Sequence, residues 1–193
     1  MIIRRILALV PLVLLVGCGS AAPPAPAPGT ASGPPAPATT TAGSTPPAGG
    51  VARCVAADLR AGLGQASGEG QRTVSIVYRN VSDRPCEARG VPGVDLRGPE
   101  DPNGPVYSVL RQEDSGTGAT LEPGGSVSAT LTYLTGTDGS VGTLGSTGWI
   151  PTELVTTPPG DTSQLTVPWN GDTVLRQDGA TRPGTYVGPL AAS

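Results

Sequence analysis

The run Ser126-Val127-Ser128-Ala129-Thr130-Leu131-Thr132-Tyr133 decides the fold class of this chain. It alternates polar and apolar residues without a break, which is the period of a half-buried β-strand. The segment from Thr73 to Tyr78 nearly repeats the pattern, with Val74, Ile76 and Tyr78 on one face. Both runs therefore predict strands that bury one face.

Shorter candidate strands lie on both sides of these two runs. They are Asp58–Leu63, Val94–Arg97, Val106–Arg111, Glu153–Thr156 and Gln164–Val167. Turn signals rich in glycine and proline stand between them, such as Pro123-Gly124-Gly125. No stretch of twelve residues carries helical periodicity without an interrupting Gly or Pro. Residues 51–193 are therefore predicted to form an all-β domain, an Ig-like antiparallel β-sandwich.

The chain begins with the layout of an export signal. Arg4 and Arg5 precede an apolar run of about eleven residues, from Ile6 to Val16. A membrane-spanning helix needs roughly 20 apolar residues, so this run is too short to span a bilayer. Residues 1–17 are predicted to be a signal peptide. General secretion is favoured over twin-arginine export, although the Arg4-Arg5 pair leaves the second route open.

Leu15-Val16-Gly17-Cys18 resembles the bacterial lipobox. The resemblance implies cleavage before Cys18 and attachment of lipid, palmitate included, to its thiol. Several acyl chains on one residue are sufficient for stable anchoring. The chain is therefore predicted to be a lipoprotein on the extracytoplasmic face of the cell membrane, in the cell envelope. The simpler alternative is an ordinary cleaved signal with Cys18 as an incidental thiol.

Residues 18–50 are predicted to be a disordered tether. After Cys18 this segment contains nothing but Pro, Ala, Gly, Thr and Ser, with no charge and no large side chain. Such a segment cannot offset its own ordering entropy, and its spaced prolines favour extended conformations. The cluster Thr39-Thr40-Thr41 leaves open an O-glycosylated stalk as the alternative to a passive spacer.

Cys54 and Cys86 form an even pair once Cys18 is assigned to lipid attachment. Their spacing matches no zinc or thioredoxin-type motif, and an exported domain lies in an oxidising compartment. A structural disulfide is the simplest assignment.

Several motifs together resemble a known family. They are Cys54 followed by Leu59, a strand ending in Asn80, Cys86, Gly90-Val91-Pro92, Leu121–Gly125 and Thr157–Gly160. This pattern resembles the actinobacterial domain of unknown function 4232, found on secreted proteins and lipoproteins, over essentially residues 54–190. The resemblance implies an extracytoplasmic β-sandwich with no established activity. Members often carry a second cysteine pair in the C-terminal half, and this chain has none there.

The composition argues against an enzyme. The chain has no His, and all 12 of its basic residues are Arg, which excludes His-assisted nucleophiles and Schiff-base lysines. The net charge of −3 with no basic block argues against nucleic acid as a partner. The sequence predicts no catalytic residue, no metal site and no cofactor.

A few residues still stand out as candidate ligands or contacts. Glu100–Gly104 gathers oxygen-bearing side chains but lacks the EF-hand spacing, so an acidic solvated turn is favoured over a Ca²⁺ site, and Glu113–Gly116 is interpreted in the same way. Asn80 opens a formal glycosylation acceptor, although a turn-capping asparagine is favoured. Trp149 and Trp169 lie at loop edges, and they are the candidates for an exposed ligand contact.

The leading hypothesis is a non-catalytic binding or structural domain at the cell envelope. Its partner would be an envelope protein, a cell-wall polymer or a small ligand, contacted through loops. One alternative is a carboxylate-based hydrolase of envelope glycans, which needs two carboxylates about 5–10 Å apart in a cleft. The other is a purely structural envelope component.

Overall fold

The computed structural model describes residues 50–112, 118–136 and 139–192. The predicted signal peptide, the lipid-attachment residue Cys18 and the tether up to residue 49 lie outside the described residues, as does the acidic segment Glu113–Gly116. Within the described ranges, no helix has the length and apolar character needed to cross a membrane.

Short strands make up most of the regular structure. They are β1 (Leu59–Leu63), β2 (Gln71–Asn80), β3 (Cys86–Ala88), β4 (Gly93–Arg97), β5 (Val106–Ser108), β6 (Leu110–Arg111), β7 (Ala119–Leu121), β8 (Ser126–Leu134), β9 (Glu153–Thr157), β10 (Leu165–Pro168) and β11 (Tyr186–Ala192). Two 3-10 turns, Ala56–Asp58 and Thr143–Gly145, accompany them.

The strands form two principal sheets and one small sheet. One principal sheet has the order β1-β2-β8-β11-β6, the other has the order β10-β9-β4-β5, and β3 pairs with β7. Both principal sheets contribute side chains to one hydrophobic core, so the predicted all-β sandwich is confirmed. One pairing departs from the antiparallel expectation, because β6 runs parallel to β11.

The core is built on the pairing of β2 with β8, the two strands with the clearest alternation. Their register places Val74 opposite Leu131 and Tyr78 opposite Val127, and all four side chains are buried. Each buried apolar side chain of this size contributes about 1.5–3 kcal/mol relative to an exposed one.

A buried hydrogen bond joins the two principal sheets. The Tyr78 hydroxyl of β2 contacts the Thr156 hydroxyl of β9, and that hydroxyl donates in turn to the Gly93 carbonyl at 2.9 Å. Tyr78 is therefore the donor in the first bond. Burial raises the pKa of Tyr78 to about 12, although the hydrogen bond to Thr156 partly opposes the rise.

Cys54 and Cys86 form the predicted disulfide, which is confirmed. Their Cα atoms lie 4.9 Å apart across a sequence separation of 32 residues, and both residues are buried. Beside the bond, the Cys54 amide donates to the Glu87 carbonyl at 2.9 Å. The disulfide therefore ties the start of the domain to β3.

Asn80 ends β2 as a turn-capping residue, as the sequence predicts. It is fully buried. Its side-chain oxygen accepts hydrogen bonds from the Ser82 amide and hydroxyl, while its side-chain nitrogen donates to the carbonyls of Arg84 and Leu121. The amide nitrogen that glycosylation would use is thus committed to two internal hydrogen bonds.

The predicted single strand Val106–Arg111 is wrong, because the segment divides between the two principal sheets. β5 pairs with β4 at the edge of the four-stranded sheet, whereas β6 pairs with β11 at the edge of the five-stranded sheet. Val109, between them, is buried. The chain therefore crosses from one sheet to the other here, and the crossing forms one wall of the site described next.

Candidate functional site

The centre of the site is a fully buried arginine, Arg176, in the segment between β10 and β11. Its guanidinium donates to both carboxylate oxygens of Asp178, at 3.0 and 2.7 Å. It also donates to three backbone carbonyls, those of Asn103, Gly104 and Val106. Burial of an arginine is costly unless its donors are satisfied, and here one side chain connects the 103–106 loop to the 176–178 segment.

Two aromatic rings enclose the same guanidinium. The Arg176 carbon Cζ lies 4.7 Å from the ring centroid of Trp149 and 5.5 Å from that of Tyr107, which are cation–π distances. The Trp149 indole N–H donates to the Pro99 carbonyl at 3.0 Å. The expectation that Trp149 is exposed is therefore wrong, since only 3% of the residue is accessible.

Asp101 completes this cluster from the loop after β4. One of its carboxylate oxygens lies 3.4 Å from the Arg176 guanidinium, and the other accepts from the Ser146 hydroxyl. Burial acts to raise the pKa of Asp101, but hydrogen bonds from Ser146 and Asn103 together with Arg176 lower it below its ordinary value of 3.8. The interpretation of this loop as a solvated acidic turn is therefore wrong for Asp101, whose side chain faces inward and is 5% exposed.

The cluster supports one wall of a cleft on the surface. We call it the β5 cleft; its volume is about 510 Å³, and its lining residues are Tyr107–Arg111 on one wall, with Gln177–Ala180 and Pro183 on the other. Arg176 binds the carbonyl of Val106, the residue just before the first wall, and the Asp178 carboxylate in the second wall. A single buried side chain thus links the base of one wall to the other.

A smaller polar depression adjoins the β5 cleft. Its volume is about 300 Å³, and it shares Ser108, Val109 and Arg111 with the cleft. Asp95 and Thr157 also line it, and the Asp95 carboxylate accepts from the Ser108 hydroxyl at 2.7 Å. Arg111 thus lies where the two depressions meet.

Trp169 is held mainly by internal contacts. Its ring packs edge-on against Tyr133 with 5.2 Å between centroids, and its indole N–H donates to the Asp172 carbonyl at 3.1 Å. Gly171 lies so close to the ring that a Cβ at this position would collide with it. Trp169 is half-buried, and neither Trp169 nor Trp149 lines the β5 cleft. The structure therefore does not bring the two tryptophans together in a common site.

Sequence reasoning missed Arg176. The available signal is its alternation with buried Val174 and with Asp178 two residues further on. Alternation alone does not distinguish this arginine from the other eleven in the chain. Across the described parts of the chain, no group of three or more Asp, Glu, Cys or His side chains is arranged to hold a metal ion.

The fold and the Cys54–Cys86 disulfide define a small all-β domain. More particularly, the model of one family, described as a domain of unknown function (DUF4232), matches residues 54–190. The chain belongs to this family. A comparison with curated proteins found no match.

Proposed function

We propose that this protein is a lipid-anchored, extracytoplasmic lipoprotein whose non-catalytic domain binds a ligand at the cell envelope through the β5 cleft. The observation that carries the proposal is the cleft itself, with both walls joined to the buried Arg176. A cleft whose walls are already held in place loses little conformational entropy when a ligand binds, which favours affinity.

The chemistry of the neighbouring carboxylates favours binding over catalysis. Asp101 and Asp178 both contact the Arg176 guanidinium, and the pKa of Asp101 is lowered. A carboxylic acid that protonates a leaving group needs a raised pKa instead. This pair therefore fits a structural role better than that of a glycosidase acid–base pair.

The compartment is argued from the sequence and the disulfide. The signal-like residues 1–17, the lipobox before Cys18 and the Pro/Ala-rich tether together form the arrangement of an anchored lipoprotein. A buried disulfide between Cys54 and Cys86 is typical of proteins in oxidising compartments. These two arguments rest on different parts of the chain.

Anchoring is tested by replacing Cys18. Cells expressing the wild-type chain should incorporate a palmitate analogue into it and retain it in the membrane fraction, whereas Cys18→Ala should do neither. Cys54→Ala serves as the cysteine control, since it leaves the lipobox intact and should still be labelled. Equal labelling of wild type and Cys18→Ala would contradict the lipoprotein assignment.

Ligand binding is tested by site-specific photocrosslinking in intact cells. A photoreactive residue replaces Leu110, which lies in the β5 cleft, or Val81, which lies outside it; their exposures are matched at 52% and 53%. A discrete adduct should form at position 110 and not at position 81. Adding Ala180→Trp to fill the cleft should abolish that adduct, while Ala191→Trp, on an exposed alanine of β11, should not.

A further inference from the structure

β5 has an open backbone edge facing the cleft. Among the described strands it is the last of its sheet and pairs only with β4, while Ser108 and the following residues line the cleft on its other side. The Val106 carbonyl on that side already accepts from Arg176, so the edge that remains open is at Ser108. A terminal strand presents unpaired N–H and C=O groups, which an added strand can satisfy. The facing wall, Gln177–Ala180, leaves the space between the walls unfilled.

The side chains along the cleft suit a peptide. Leu110 is 52% exposed, and Ala180 and Pro183 provide further apolar surface in the opposite wall. Extended peptides direct successive side chains to opposite sides, so alternate residues would contact these apolar groups while the backbone pairs with β5.

Arg111 adds a positive charge where the β5 cleft meets the smaller depression, and its Nη2 atom lies beside Gly93, which lines that depression. Among the residues that the structure describes, none lies within hydrogen-bonding or ion-pairing distance of its guanidinium. The nearby Asp95 carboxylate accepts from Ser108, and the Asp178 carboxylate binds Arg176 at two atoms. A guanidinium matches the geometry of a carboxylate with two parallel hydrogen bonds, so Arg111 is suited to a carboxylate on the ligand.

The aromatic residues disfavour a saccharide in this cleft. Sugar rings stack on exposed aromatic faces, but Tyr107, the aromatic residue of the cleft lining, is 3% exposed. Trp149 is equally buried, and Trp169 packs against Tyr133. A terminal strand, and a guanidinium that has no ion-pair partner among the described residues, favour a peptide instead.

We propose that the β5 cleft binds an extended peptide that adds a strand to β5 and places a carboxylate on Arg111. The inference rests on the proposed binding function and names its ligand class. β5 itself is three residues long, about 10 Å at about 3.3 Å per residue, and the next strand residues, Leu110 and Arg111, pair with β11 instead. The added strand therefore pairs along about three residues, and its end extends toward Arg111. If the carboxylate is the C-terminus, the peptide runs parallel to β5, because Arg111 lies beyond the end of that strand.

The test begins by selecting a ligand. A library of random heptapeptides with free C-termini is selected against the purified full-length chain, with Ala180→Trp as the counter-selection target. Selected peptides are synthesised in four forms: unmodified, amidated at the C-terminus, with acidic side chains changed to amides, and N-methylated at alternate positions. The second and third forms distinguish a terminal carboxylate from a side-chain carboxylate.

The expected result has three parts, measured as dissociation constants. One of the two carboxylate changes weakens binding at least tenfold. Arg111→Ala does the same, whereas Arg60→Ala, an exposed arginine of β1, changes binding less than twofold. N-methylation weakens binding at one set of alternate positions and not at the other, because an added strand pairs through one edge.

Several outcomes would overturn the inference. These are failure to select any peptide excluded by Ala180→Trp, equal binding by Arg111→Ala, or tolerance of N-methylation at both sets of positions. If the crosslink at position 110 still forms, the proposed function stands and the peptide inference alone fails. If that adduct is a cell-wall saccharide, the cleft binds glycan. If no adduct forms at all, the proposed function fails as well.

Discussion

At the scale of single residues, Arg176 connects more of this domain than its position near the C-terminus suggests. It binds carbonyls about 70 residues away in sequence and lies over the rings of Tyr107 and Trp149. A buried charge with several partners contributes little net stability when intact, but its loss leaves those partners unsatisfied. The residue therefore specifies the arrangement of the surrounding loops.

Replacing Arg176 should destabilise the domain severely. Arg176→Met keeps much of the length of the side chain but leaves the Asp178 carboxylate and three backbone carbonyls without the donor that binds them. It also leaves the Asp101 carboxylate without its cation. We expect a loss of about 3–5 kcal/mol in the free energy of unfolding, measured by urea denaturation. Arg84→Met is the control, because Arg84 pairs with Asp58 from a side chain that is 62% exposed and should cost less than about 1 kcal/mol. Equal costs would contradict the role given to Arg176.

The raised pKa of Tyr78 predicts that the domain loses stability in alkali. Its pKa rises from 10.0 to about 12 on folding, so the folded state holds this proton more tightly than the unfolded state. The stability that this proton contributes is fully present below pH 10 and is lost as the pH rises through about 12. The loss amounts to about 2–3 kcal/mol in the free energy of unfolding. Tyr78→Phe loses the hydrogen bond to Thr156, but it has no hydroxyl that can ionise in alkali. The variant should be about 1 kcal/mol less stable than wild type at pH 8, and this gap should close or reverse above pH 11. A constant gap between the two pH values would be evidence against the raised pKa.

At the scale of strands, local pattern predicts β1, β2, β4, β8, β9 and β10 well, whereas β3, β7 and β11 are not predicted. β11 is a central strand, between β8 and β6, but Gly188-Pro189 interrupts its sequence. The structure accommodates the interruption with a shift of register against β8 between Val187 and Leu190. Proline cannot donate a backbone hydrogen bond to a neighbouring strand and is tolerated at such bulges. In the sequence, Gly188-Pro189 therefore indicates a turn although the segment is a strand.

The β2–β8 pair should dominate the stability of the sheet. Leu131 of β8 is fully buried opposite Val74, so Leu131→Ala should cost about 2–5 kcal/mol through lost burial and the cavity left behind. Leu144→Ala is the matched control, since Leu144 is 76% exposed and should change stability by less than about 0.5 kcal/mol. Thermal and urea denaturation measure both. A cost below 1 kcal/mol at Leu131 would show that β8 is not central to the core.

At the scale of the whole molecule, the domain combines a conventional core with one covalent link. The two principal sheets share that core, while the disulfide fastens the segment before β1 to β3. A hydrogen bond also holds the segment before β1, because the Asp161 carboxylate accepts from the Ala56 amide at 2.7 Å. That bond and those from Ser163 and Thr162 lower the pKa of Asp161.

Removing the disulfide should lower the stability of the whole domain. The bond closes a loop across 32 residues, which contributes about 3–4 kcal/mol in the chain-entropy model. The double variant Cys54→Ser, Cys86→Ser should therefore melt lower by on the order of 10 °C. Wild type treated with a reductant should approach the same melting temperature. A shift of less than about 2 °C would mean that the bond is not structural.

The amino-acid sequence by itself determined the fold class, the cysteine pair and the turn at Asn80. These follow from local pattern: alternation in Ser126–Tyr133, an even pair of cysteines, and an asparagine at a strand end. The tertiary structure alone decided the burial of Trp149, the division of Val106–Arg111 between two sheets, and the position of the β5 cleft. Each depends on residues far apart in sequence, as where Arg176 reaches the Val106 carbonyl. Alternation shows that a side chain faces the interior, but the partner it meets there is set by how the sheets close around it.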